Sequence, residues 1–358
     1  MTAFTSITSH EHIGFELGWD YAHYRWPPPA PYAQQCSPLR DGLLAGQAAF
    51  GARTLVATRH VRKWLQLRLH AWLRGRSVEL FQVTPHYLAQ LEVSHCPITR
   101  QALSSATQGA GDARVVRVRN DAGYAAGNLA LISTQASHAK AAHGYRAALR
   151  LADAAQATPH SMPGGPDAEG LDPEQWARVA ALCSFVEPLP HDEACGLPLL
   201  LLPPNRLRLF NPVQALQAFV SSQLLIPGWS RRVRRFEELL PGKPLQQDFN
   251  RFFIALLPRV LEAGKPAGPR QARWAVEDAW RNPLVQERWA GFARQLSAAE
   301  CETLVHKAAA NRLATGCVQR FSDTQATEGW NLATRGYVPH ARLRATRVRD
   351  DSQRELAL

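Results

Sequence analysis

Between Gln156 and Leu171 the chain carries Pro159, Pro163, Gly164, Gly165, Pro166 and Gly170, the strongest break in its patterning. Proline fixes φ and lacks a backbone donor, and glycine loosens the chain, so no helix or sheet strand runs through such a stretch. The spacing predicts a linker over residues 156–171, an N-terminal region over 1–155 and a helical domain over 172–314. Asp172-Pro173 marks where the second region starts, with the carboxylate as N-cap and proline at the first helical position. With 358 residues, 46% of them hydrophobic, each side of the break can bury a core.

Before the linker, Val61, Leu65, Leu69 and Trp72 fall on one stripe, with Arg62, Lys63, Arg68 and Arg74 around the rest. This predicts helix from about Asp41 to Arg74, stopped at Gly75. Thr84-Pro85 opens a short helix carrying Tyr87, Leu88 and Leu91. Residues 1–40 hold Phe15, Trp19, Tyr21, Tyr24 and Trp26 before Pro27–Pro29, and read as an ordered but irregular arm lying on the body, since so many aromatics are costly to leave in water. After the linker, residues 187–211 are proline-rich and read as an extended connection. Phe249, Phe252, Phe253, Leu256 and Val260 fit a helix ended by Gly264, and Trp274, Trp280, Trp289, Phe292 and Leu296 continue the pattern. Ser297 with Glu300 reads as a capping box opening the helix of Cys301, Leu304 and Val305. Residues 315–358, with Arg342, Arg344, Arg347 and Arg349, read as a mobile basic tail.

Charge narrows the partners. Lys and Arg number 41 against 30 Asp and Glu, a net +11, which favours phosphate-rich partners; the bland reading is a generally basic surface. The longest strongly apolar run, Leu197–Leu202, is broken by Pro198, so no membrane span is expected. The first residues lack the basic start and apolar stretch of a secretory signal. Six cysteines without a C-x-x-C pair suit reduced thiols, and the localisation expected is cytoplasmic.

One segment is chemically pointed. Ala113–Val118 is β-branched and basic, Asn120-Asp121 and Gly123 signal a turn, Asn128–Ser133 supplies a second short strand, and Thr134–Leu151 is an alanine-rich helix. The fold class expected is therefore α+β and predominantly α-helical, with a small β-hairpin plus helix inside a helical protein.

Val115-Val116-Arg117-Val118, Gly123-Tyr124, Gly127-Asn128-Leu129-Ala130-Leu131 and Lys140 resemble the core of an HNH-type nuclease module, a ββα-metal finger. Cys96-Pro97-Ile98-Thr99, followed by Leu103, resembles its lead-in, so the likeness covers about residues 93–145. It implies structural roles for Cys96, Gly123, Tyr124 and Asn128, the cysteine packing beneath the finger and the asparagine pinning the loop. In that family the first strand bears a metal-binding Asp and then a general base. The helix adds an Asn or His ligand three residues before a Lys. Here those three positions hold Val116, Arg117 and Ser137, although some relatives with this loop also place Arg at the base position.

A hard cation needs oxygen or imidazole ligands, and one-metal phosphodiester cleavage needs the metal and an activated water. The expectation is a catalytically degenerate finger, with no metal and no cofactor. His138, His95 and Asp121 are the candidates for a rebuilt site, with His143 and Asp112 behind them. Positions 138 and 143 lie about 140° apart round a helix and do not share a face. If such a site forms, the alternative is an active endonuclease using Mg or Mn.

What the segment keeps is positive charge. Arg114, Arg117, Arg119, Lys140 and Arg146 are expected to neutralise phosphates of DNA or RNA, giving salt-sensitive affinity without sequence preference. The bland reading of the same residues is a solvated basic face, and Arg231–Arg235 beside Trp229 and Phe236 allows the same two readings, as do Arg62, Lys63 and Arg68. His10-Glu11-His12 is too short for a metal site, and Glu277-Asp278 reads as the polar face of a helix. A third reading is a non-enzymatic scaffold whose helical half binds a protein partner.

Overall fold

The computed structural model describes residues 9–34, 36–105, 107–157, 170–264, 266–313 and 326–338. Among them the protein is predominantly helical, with one two-stranded antiparallel sheet, an α+β fold. The first elements are α1 (His10–His23), α2 (Ala30–Gln34), α3 (Pro38–Phe50), α4 (Arg59–Leu73) and α5 (Pro85–Gln90). Strands β1 (Ala113–Arg117) and β2 (Leu129–Ser133) come next, then α6 (Thr134–Lys140) and α7 (Tyr145–Ala157). The remainder comprises α8 (Pro173–Ser184), α9 (His191–Cys195), α10 (Pro212–Gln223) and α11 (Trp229–Glu237). Last come α12 (Lys243–Glu262), α13 (Pro269–Ala279), α14 (Pro283–Ala293) and α15 (Ala298–Ala310).

The chain divides into two compact units, at a different place from the proline-rich break. The first takes the described residues of Met1–Cys96, Arg100–His138 and Asp323–Leu358; the second takes those of Pro97–Thr99 and Ala139–Ser322. Helix α7, which precedes the expected linker, packs along α8 and so belongs with the helices C-terminal to it. Most of the linker itself, residues 158–169, lies outside the described residues.

In the first unit, the expected irregular arm is instead largely the helix α1, capped by the Ser9 hydroxyl accepting from the His12 amide at 3.1 Å. The glycines that hide this helix in the sequence are what lets it pack. A Cβ on Gly18 would lie 1.9 Å from the Leu39 carbonyl oxygen, and one on Gly42 the same distance from that of Phe15. Backbone-to-backbone approach this close excludes any side chain, which outweighs the helix propensity glycine forfeits. The expected single helix over 41–74 is two, α3 and α4, separated at Gly51 (φ 52°) and restarted by the Thr58 cap. Helix α4 is apolar on two sides. Leu67 and Ala71 join Tyr87, Leu88, Leu91, Tyr124 and Leu129, while Leu65, Leu69 and Trp72 join Leu17, Tyr21 and Leu39.

The tail also departs from expectation. Trp330 is fully buried, its Nε1 donates to the Ala126 carbonyl at 3.0 Å, and its own carbonyl accepts from the Gly123 amide at 2.7 Å. Ser77 N donates to Gly336 O and Val338 N to Gly75 O, so residues 326–338 are woven into the first unit rather than mobile. An indole with its donor satisfied by a backbone carbonyl repays the ordering of such a segment. Arg342, Arg344, Arg347 and Arg349 lie outside the described residues.

In the second unit, the alanine-rich helix expected over 134–151 breaks between α6 and α7. Ala141 takes φ 38°, and the Glu187 carboxylate accepts from the Tyr145 amide at 2.9 Å, satisfying a free donor at the α7 start. Residues 187–211 contain the short helix α9 and are fastened by Asn211, whose Nδ2 donates to the Ser184 and Glu187 carbonyls. The core is aromatic: Phe252 lies 5.4 Å from Trp280 and 5.1 Å from Trp289, and Phe249 lies 5.4 Å from Phe292. The Asp172 N-cap and the Ser297 capping box stand as the sequence predicts, and Gln175 completes a second capping box at Asp172. No helix among the described residues is long and apolar enough to cross a membrane.

Candidate functional site

The pointed segment folds as a hairpin whose loop is tied from within. Strand β1 pairs with β2 so that Val116 faces Ala130 and Arg117 faces Leu129. Asn128, wholly buried, closes the loop: its Oδ1 accepts from the Arg119 amide at 2.8 Å, and its Nδ2 donates to the Arg119 and Gly123 carbonyls at 3.1 Å each. Arg117 adds a second tie, its Nη1 donating to the Asn120 and Ala122 carbonyls at 2.8 and 2.7 Å. Gly123 permits close passage of Ser77, whose Oγ would stand 2.2 Å from a Cβ there. Beneath the hairpin, the buried Cys96 Sγ accepts from the Ser133 amide at 3.3 Å.

The residues weighed for a rebuilt metal site do not converge. Val116 offers only hydrocarbon, and Asp121 is held by Arg119 through two contacts of 2.7 and 3.0 Å. Asp112 is buried; desolvation works against its charge, but bonds from the Thr107 and Ser104 hydroxyls and the Gln108 and Thr107 amides outweigh it and hold its carboxyl below the usual range. Its oxygens are spent on ordering that loop. His95 Nδ1 meets Ser94 Oγ at 2.9 Å, and the ring of His143, in the other unit, packs against Trp176. His138 is exposed, its pKa lowered by desolvation and by Arg114. Among the described residues no group of three or more His, Cys, Asp or Glu side chains is placed to hold a metal ion.

The five residues expected to meet phosphate also separate. Lys140, the last residue of α6, is 2% exposed and so out of reach of a backbone phosphate. Arg146 lies in the second unit and pairs with Glu193 at 2.9 Å. Arg119 is committed to Asp121. Lys63 and Arg68 are likewise buried and paired, with Glu92 and Asp20. Arg114 and Arg117 remain.

Around them the first unit gathers two arginines that sequence reasoning had not assigned here. Arg76 lies over the Tyr337 ring at 3.7 Å and donates to the Arg335 carbonyl, and Arg74 Nη1 meets His70 Nδ1 at 2.8 Å. Arg117 stands 5.2 Å over the Tyr124 ring, and Arg114 Nε donates to Thr134 Oγ1. The mutual effect of these charges is legible at His70. Burial first, then Arg74, Arg114 and Arg117, push the imidazole down from 6.5 to about 3, so it is neutral at pH 7. Arg76 is itself lowered by desolvation and by Arg117. None of the four arginines takes part in an ion pair among the described residues. Each guanidinium carries five N–H donors and spends one or two of them on these contacts. The Asp112 carboxylate lies near enough to Arg114 to favour its charge, but its oxygens are taken up by Ser104, Thr107 and Gln108, so the positive charge gathered here leaves a ready place for an anion. The flanking of Gly75 by Arg74 and Arg76 was the only local signal; their meeting with β1 comes from the tertiary packing of α4.

Comparison with protein-family models, with curated proteins and with solved structures finds no match to this chain.

Proposed function

We propose that this protein binds nucleic acid through the arginines gathered at β1, and that the HNH-like finger carrying them holds a phosphate backbone without cutting it. The observation that carries the reading is the group Arg74, Arg76, Arg114 and Arg117, without ion-pair partners among the described residues and with most guanidinium donors unspent. Guanidinium matches phosphate with two parallel bonds and stays charged when partly buried, which suits it to this task better than lysine. The absence of an oxygen or nitrogen donor at Val116, and the prior commitment of Asp112 and Asp121, support a silent finger. No disulfide joins the described cysteines, in keeping with the cytoplasm as the place of action.

A mobility shift with double- and single-stranded DNA and with RNA tests the reading. Binding is expected at low salt and is expected to weaken steeply as salt rises. Incubation with supercoiled DNA and Mg²⁺ or Mn²⁺ is expected to leave it intact. Cutting that depends on metal and is lost in His138→Ala would establish the active nuclease instead, and absence of binding at low salt would remove the nucleic-acid reading.

A further inference from the structure

A few residues beyond Arg76 stands the most exposed large apolar side chain among the described residues. Phe81 is 92% exposed, beside Leu80 at 39%. Leaving an aromatic ring in water forgoes the stabilisation that its burial would bring. The turn that displays it is rigid. Both oxygens of Glu79 lie inside it, accepting from the Phe81 amide at 2.6 Å and the Gln82 amide at 2.9 and 3.2 Å. On one side Glu79 N donates to the Tyr124 carbonyl, and on the other Trp64 Nε1 donates to that of Val83. A Cβ on Gly329 would lie 2.2 Å from Glu79 Cγ, so the folded-back tail also braces the turn.

The charge around this ring selects its occupant. The one acid of the turn is consumed by backbone amides, leaving an apolar tip. Tyr124, whose carbonyl anchors the turn, is the residue under the Arg117 guanidinium. Arg76 is five residues away, no more than about 18 Å even if the chain were fully extended. A rigid ring within such reach of unpaired guanidinium groups is the arrangement by which single strands are held: cations on the phosphates and an aromatic face on a base. In a duplex the base faces are already stacked on one another, so a ring of this kind gains most from an unpaired strand.

We infer that Phe81 is a base-stacking residue for single-stranded nucleic acid. This rests on the proposed arginine site and adds the substrate class. The test measures fluorescence anisotropy of the full chain with three fluorescein-labelled probes of equal length: oligothymidylate, an abasic oligomer with the same phosphates, and a duplex. The wild type should bind oligothymidylate about tenfold more tightly than either the abasic oligomer or the duplex. Phe81→Ala should erase the advantage over the abasic probe while leaving affinity for that probe unchanged, and Phe81→Trp should restore it. An unaltered melting temperature in Phe81→Ala, expected of a side chain this exposed, would separate the effect from misfolding. If Phe81→Ala binds oligothymidylate as well as the wild type does, the stacking role is overturned, the arginine reading stands, and the exposed ring is left to a protein partner. If the wild type binds none of the three, both inferences fall.

Discussion

Two groups of arginine in this protein carry like charge and behave differently in the fold. In α11 the run Arg231–Arg235 is the denser of the two; Arg232 and Arg235 are put to structural use, while Arg231 and Arg234 stand exposed. Arg232 donates to the side-chain and backbone oxygens of Gln223 and to the Ile226 and Pro227 carbonyls, and so closes the C-terminal end of α10. Arg235 donates to the Asn311 carbonyl beyond α15, while Val233 and Phe236 anchor the helix in the core. At β1 the arginines are drawn from separated stretches, and their bonds leave most donors unspent. The difference is one of degree: Arg232 spends its guanidinium on four oxygens around the C-terminal end of α10, whereas the β1 arginines spend one or two donors each.

The strongest way to break the β1 site is from inside its loop. Asn128→Ala leaves the Arg119 amide and two carbonyls without their buried partner, and should cost about 3 kcal/mol or more of stability. Urea unfolding should show this as a lower midpoint, with nucleic-acid binding lost at the same time. Separation of binding from folding comes next. Arg76→Ala with Arg114→Ala should weaken binding about tenfold at moderate salt and flatten the salt dependence by about two phosphate contacts, with little change in melting temperature. Arg232→Ala with Arg235→Ala should do the reverse, lowering the melting temperature without altering affinity. If the α11 pair weakened binding and the β1 pair did not, the contrast between the two groups would be inverted.

The β1 group also carries a pH signature that α11 lacks. His70 titrates near 6.5 in an ordinary setting and about 3 in the folded chain. The unfolded chain therefore takes up the proton first. The stability tied to neutral His70 is full above about pH 6.5 and should drain at about 1 kcal/mol per pH unit as pH falls toward 3. Stability measured against pH should fall less in His70→Gln than in the wild type across that window; parallel curves would mean that the imidazole is not held neutral by its arginine neighbours. The smallest effect concerns Asp121. Its pair with Arg119 is half-exposed, so Asp121→Asn should change stability by less than about 1 kcal/mol.

Much of the local structure was legible. Asp172-Pro173, Thr84-Pro85 and Ser297 with Glu300 each open a helix where they stand in the chain, because capping satisfies donors only two or three residues away. The hairpin was legible for the same reason, its turn lying between residues that pair with one another. Helix α1 was not, since its glycines read as breakers until α3 is laid against them. Nor was the break before α7, which depends on a carboxylate more than forty residues further on. The site was half legible: Arg114 and Arg117 stand on the strand itself, whereas Arg74 and Arg76 reach it only through the packing of α4.

The sequence by itself determined a predominantly helical chain with one basic hairpin, its helix starts and the asparagine that pins its loop. These rest on interactions spanning a few residues, and the same residues enforce them in any context. Only the tertiary structure decided which cations remain available, because a guanidinium on a long stem bonds whatever carbonyls the fold brings near. It also decided that Trp330 ties into the hairpin loop from far along the chain, that Lys140 is buried, and that Phe81 stands in water on a braced turn. Such long-range partners leave no period or spacing in the sequence from which to read them.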